Sequence, residues 1–131
     1  MLNIGEYVRG LLRRFSRQDY SLVMTEQHPS QESVKDGVIY VVGSQSYAKW
    51  AYLRCPCPQH DVIRLNLSKQ QRPAWTVRIK GKNIPDVYPS IWQLDGCYSH
   101  FWIRDGKVTW AKGSGSPPRR AEVGELIPEH A

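Results

Sequence analysis

Apolar and polar positions along the chain follow two different periods. Between Ile4 and Gln18 the apolar residues are Ile4, Tyr7, Val8, Leu11, Leu12 and Phe15, with Arg9, Arg13, Arg14 and Arg17 mainly on the other side. A return every three to four residues predicts an amphipathic helix, one that would cover an end of a sheet or dock on a partner or a membrane surface. Asn3 is its expected N-cap with Glu6 behind it, while Gly5 and Gly10 weaken it. The polar, Pro29-containing stretch from Gln27 to Asp36 predicts a loop.

From Gly37 onward the pattern changes to that of strands. Gly37–Gly43 is a short β-branched run with almost no polar interruption, as in a buried central strand. Ala48–Leu53 predicts a second strand that runs directly into Cys55. Asp61–Leu67 alternates Val62, Arg64 and Asn66 with Ile63, Leu65 and Leu67, and Ala74–Lys80 repeats the device with Trp75, Val77 and Ile79 on one face. An alternation of two is that of a half-exposed strand. Gly81-Lys82-Asn83 predicts a turn; Tyr88–Trp92 and a loop follow. Ser99–Arg104, Asp105-Gly106 and Lys107–Trp110 then form a hairpin, since Asp-Gly suits the tight turns that join antiparallel strands. The expected fold is mainly β: a small antiparallel sheet domain (21–111) with a zinc-knuckle-type site, preceded by the N-terminal helix (1–20) and followed by a flexible tail (112–131).

Composition narrows this picture. A chain of 131 residues has room for one modest core. No apolar run approaches the ~20 residues of a membrane-spanning helix. The N-terminus lacks a basic stretch followed by an apolar block, so no secretory signal is expected. The odd count of 3 cysteines, two of them separated by a single residue, disfavours a disulfide framework. It favours free thiols in a reducing, cytoplasmic compartment. The net charge of +6 comes from dispersed basic residues, the pattern of a solvated face, so nucleic acid is a secondary candidate partner. Trp75 among Arg72, Arg78 and Lys80 would suit stacking on single-stranded nucleic acid. Five tryptophans on or beside strands more readily serve core or rim packing in so small a domain.

The candidate chemistry lies in Cys55-Pro56-Cys57-Pro58-Gln59-His60 and Cys97-Tyr98-Ser99-His100. Zinc takes four tetrahedral nitrogen or sulfur ligands, commonly as two closely spaced pairs from separate loops. Cys55, Cys57, Cys97 and His100 are such a set, and it uses every cysteine of the chain. His60 in place of His100 is an open alternative, as is a reading in which the cysteines are simply buried apolar residues. Four protein ligands would make the zinc structural, and three thiolates would make it a weak Lewis acid. Candidate catalytic residues near the site are Ser90, Asp95, Ser99 and His100, with Asp61 a further proton acceptor. Asp95-Gly96 also reads as a turn, Asp61 as the start of a strand and Ser99 as a backbone partner.

The order of these segments also resembles a known family. Gly37–Val41, Leu53-Arg54-Cys55-Pro56-Cys57, Pro89-Ser90-Ile91-Trp92, Gly96-Cys97-Tyr98-Ser99-His100-Phe101-Trp102-Ile103 and Val108-Thr109-Trp110 resemble a small bacterial zinc-binding family of unassigned function, over roughly residues 37–110. Members are often encoded beside an activating enzyme, a conjugating enzyme and a ubiquitin-like protein. The family pattern at the first cysteines is Cys-x-Cys-Gly-Cys-Gly, from which this chain departs with Pro58, Gln59 and His60. The resemblance implies a bacterial ubiquitin-like pathway, in a setting of antiphage defence. Its implied partners are the ubiquitin-like protein and its conjugation enzymes, and its implied activity is a peptidase that matures or removes the ubiquitin-like protein. A non-catalytic zinc-stabilised adaptor for a protein or nucleic acid is the alternative.

Overall fold

The computed structural model describes residues 18–44 and 46–117. The helix expected over Ile4–Gln18 lies, but for Gln18 itself, outside the described residues, as does the end of the segment read as a tail. Eight strands are described: β1 (Ser21–Thr25), β2 (Val38–Ser44), β3 (Tyr47–Arg54), β4 (Val62–Asn66), β5 (Thr76–Lys80), β6 (Ile84–Trp92), β7 (His100–Arg104) and β8 (Lys107–Trp110). One turn of 3₁₀ helix, Gln31–Ser33, interrupts the β1–β2 connection. Among the described residues no helix is long and apolar enough to cross a membrane.

The strands form two four-stranded sheets, β1-β2-β3-β4 and β5-β6-β7-β8. The second is antiparallel throughout, each strand pairing with the next. The first departs from the expected antiparallel sheet, because β1 pairs parallel to β2 with Ser21 opposite Val38. Alternation decides which residues face inward. Ile39 and Val41 of β2, Ala51 and Leu53 of β3, and Ile63 and Leu65 of β4 are buried in one cluster with Val87 and Ile91 of β6 and Phe101 and Ile103 of β7. The inner faces of both sheets thus share a single core. Phe101 is fully buried at its centre, and truncation to alanine there is expected to cost about 3–5 kcal/mol.

Two features of the second sheet set up the functional region. The β7–β8 turn is Asp105-Gly106, with φ of 53° and 73°, the positive pair that a tight hairpin requires. The Gly106 carbonyl accepts from the N–H groups of Asp19 and Tyr20, and its own N–H donates to Pro85, so the turn also fixes the entry to β1. The second feature is a break in the β6–β7 register: Val87 is opposite Ile103, yet Ile91 is opposite Phe101. β6 therefore carries extra residues in a bulge containing Tyr88, Pro89 and Ser90. Proline lacks the N–H that a regular ladder would use, so it is at home in such a bulge.

Candidate active site and thiol cluster

On β7, Phe101 and Ile103 point into the core, so His100 and Trp102 point away from it. Across the ladder Trp92 is opposite His100 and lies on the same outer face. The β6 bulge brings Ser90 onto this face as well, and Ser90 Oγ lies 2.9 Å from His100 Nε2. Three groups restrict the pair. The Trp92 ring stacks flat on the imidazole, with centroids 4.3 Å apart and planes 3° apart. The Trp102 ring lies tilted against it, with centroids 5.6 Å apart and planes 34° apart. The Trp75 indole N–H donates to the Ser90 carbonyl at 3.1 Å. Ser90 is buried, and the His100 backbone N–H donates to Ser114 Oγ at 2.9 Å.

The chemical content of this arrangement is a hydroxyl within hydrogen-bond reach of a general base whose ring orientation is locked. Such a pair activates serine as a nucleophile. Positive charge developing on the imidazole during proton transfer would lie against the Trp92 indole face, an interaction worth about 0.5–2 kcal/mol.

The thiols gather where the loop that enters β7 meets the loop after β3. Cys55, Cys57 and Cys97 place their sulfurs within 4.8 Å of one another, and Cys55 Sγ and Cys97 Sγ are 3.7 Å apart. All three are free of disulfides; Cys55 and Cys57 are buried. Two turns aim them. The His60 N–H donates to the Cys57 carbonyl and the Tyr98 N–H to the Asp95 carbonyl. His60 and Tyr98 adopt positive φ of 54° and 53°, which reverses each loop just after its cysteines.

Burial pushes the Cys55 thiol up, to about 12, against a hydrogen bond with Ser99 that acts the other way. For Cys57 burial also opposes ionisation, but hydrogen bonds from the Cys55 side chain and the His60 backbone outweigh it and lower the thiol. Cys57 is thus the natural seat of the first thiolate, and a cation is what would let its neighbours ionise beside it. Three converging sulfurs of this kind suit a soft, thiolate-binding ion such as zinc.

The structure brings together the three cysteines, and separately Ser90 with His100. Neither His100 nor His60 belongs to the thiol cluster. His100 turns its Nε2 to Ser90, and His60 is exposed with Nδ1 3.5 Å from the Asp36 carboxylate. Asp95 and Asp61 are exposed on the turns, and Ser99 is buried beside Cys55. Sequence reasoning did not assign Trp75, Trp92, Trp102 and Ser114 to the surroundings of Ser90 and His100. The available signal was the two-residue spacing of Ser90 with Trp92 and of His100 with Trp102, which puts each pair on one face. Of the segment read as a tail, residues 112–117 form turns whose Gly115 N–H donates to the Tyr98 carbonyl.

Comparison with known proteins adds one result. Residues 24–111 match the family model described as "Bacterial ubiquitination-like system serine protease (BubE)". No curated protein and no solved structure matches the chain. The family match spans most of the chain, and the chain belongs to this family.

Proposed function

We propose that this member of a bacterial ubiquitination-like protease family is a serine peptidase, with Ser90 the nucleophile and His100 its general base, acting at the C-terminal segment of a ubiquitin-like protein. The observation that carries the reading is the 2.9 Å contact between Ser90 Oγ and His100 Nε2. The family description supports the reaction class, and its ubiquitination-like setting is the ground for proposing a ubiquitin-like substrate.

In this scheme Ser90 Oγ attacks the scissile carbonyl carbon while its proton passes to His100 Nε2. Collapse of the tetrahedral adduct breaks the C–N bond, and the leaving amine takes the proton from His100. Water, deprotonated by the same nitrogen, then hydrolyses the acyl-serine and regenerates the pair. Asp95 and Ser99 have no step here, since one is exposed on a turn and the other sits by the thiols. The thiol cluster would hold zinc as a structural clamp on the loop that leads into His100. That role agrees with electron-rich thiolate ligation and with a reaction centre formed by other residues.

The test is a purified chain incubated with a ubiquitin-like precursor and, in parallel, with a fluorophosphonate. Cleavage at the precursor's C-terminal segment and a covalent adduct mapping to Ser90 are expected, both lost in His100→Ala. An inert protein with unmodified Ser90 would overturn the reading and favour a non-catalytic adaptor.

A further inference from the structure

Three sulfurs converge, yet a tetrahedral ion needs a fourth ligand. Among the described residues no His, Asp or Glu joins the cluster. His100 Nε2 faces Ser90, and His60 Nδ1 faces Asp36. On one side of the cluster lies a surface cavity of about 700 Å³, and its lining includes Cys57, Gln59, Gly96 and Cys97. Two of the three ligating residues therefore border a space that small molecules can enter. The remaining one, Cys55, is fully buried and borders a different surface cavity, with Arg54, Pro56 and His60. Gln59, two residues beyond Cys57 and next to Pro58, also lines the first space and is exposed.

We propose that the cluster is a three-thiolate metal centre whose fourth position opens into this cavity, is filled by water at rest, and takes up a small soft ligand, specifically a low-molecular-weight thiol. This rests on the metal-binding reading of the thiols above, though not on the assignment of Ser90. The geometry favours exchange over a closed site, because Cys57 and Cys97 border the cavity and, among the described residues, no fourth His, Cys, Asp or Glu lies with the three sulfurs. Softness favours sulfur as the incoming donor, since an ion already held by three thiolates is suited to a fourth. The bond that forms is metal–sulfur and the one that breaks is metal–water; the thiol releases its proton to solvent, and nothing is oxidised or reduced.

The test uses the full chain loaded with Co²⁺, titrated with 2-mercaptoethanol, with X-ray absorption of the zinc form alongside. One metal per chain is expected, with three sulfurs and one light atom in its shell. Added thiol should raise the sulfur-to-cobalt charge-transfer absorption saturably, by about a third, as one bond joins three. Gln59→Cys is expected to show four sulfurs with no added thiol and no further response. Failure to bind metal at all overturns the metal reading itself. A metal-loaded protein whose spectrum ignores the thiol overturns only the open position, since the chain then supplies the fourth ligand. A Gln59→Cys protein that responds as the parent does overturns the cavity as the route.

Discussion

Ser90 and Ser99 are both buried serines near His100, and their partners separate them. Ser90 Oγ contacts the imidazole, whereas Ser99 bonds Cys55. Ser90→Ala is therefore expected to lower kcat/KM on a ubiquitin-like precursor by about a thousandfold or more while near-ultraviolet dichroism and metal content stay unchanged. Ser99→Ala should leave turnover within about tenfold but weaken metal affinity by about 10–100-fold in a chelator competition, as outer partners of ligands do. Trp92 touches the base through its ring face, so Trp92→Leu should reduce kcat by about 2–30-fold, the equivalent of 0.5–2 kcal/mol, with KM little changed. A rise in KM with kcat unchanged would remove Trp92 from the proton-transfer step. At this scale the sequence was informative about identity and less so about direction. Cys97-x-x-His100 has ligand spacing, but Cys97 belongs to a loop and His100 opens β7 on its outer face, so the two side chains part company. Spacing in a chain does not encode which way a strand's first residue points.

Strands with a regular alternation were legible as elements: Val62–Asn66, Thr76–Lys80 and the β7–β8 hairpin lie where the period of two and the Asp-Gly turn place them. β1 was not, because its partner is parallel and set by a connection that includes a 3₁₀ turn, which no local pattern reports. β6 was only half visible: its regular part, Ile84–Val87, contains Pro85, and the bulge hides the alternation that follows. The hairpin is tied to β6 by Asp86, whose carboxylate accepts from the Asp105 N–H at 2.7 Å and pairs with Lys80 at 3.3 Å. The Asp105 N–H, with help from Lys80, holds the Asp86 carboxyl below its ordinary range. A depressed folded-state value contributes stability that is fully present above the unfolded carboxylate value near about 3.9 and is lost as pH falls through the folded one. Asp86→Asn should accordingly cost about 1 kcal/mol at pH 7, the cost shrinking as pH falls below the unfolded carboxylate range. Urea unfolding of both proteins across that range checks it, and a cost independent of pH would assign the effect to packing.

At the scale of the molecule, the two sheets are joined by the shared core and by the thiol cluster. Cys55 and Cys57 leave β3 of the first sheet, and Cys97 precedes β7 of the second. The sequence announced that two distant loops meet, through the pairing of cysteine motifs, but not that they belong to different sheets. Face-to-face packing is decided by long-range apolar contacts such as Phe101 against the first sheet's inner residues, and these have no signature in spacing. A metal at this position binds only the folded arrangement, so its affinity adds to folding stability. With zinc at a thousand times its Kd the contribution is about 4 kcal/mol. For a domain of about a hundred residues that corresponds to a fall in Tm of about 15–30 °C on removal. If a bound metal clamps the loop entering β7, its removal should also misplace His100 against Ser90. Peptidase activity should then fall with the same chelator dependence as Tm and return on adding zinc. A protein that loses its metal and keeps both its Tm and its cleavage rate would show that the core alone positions the catalytic pair.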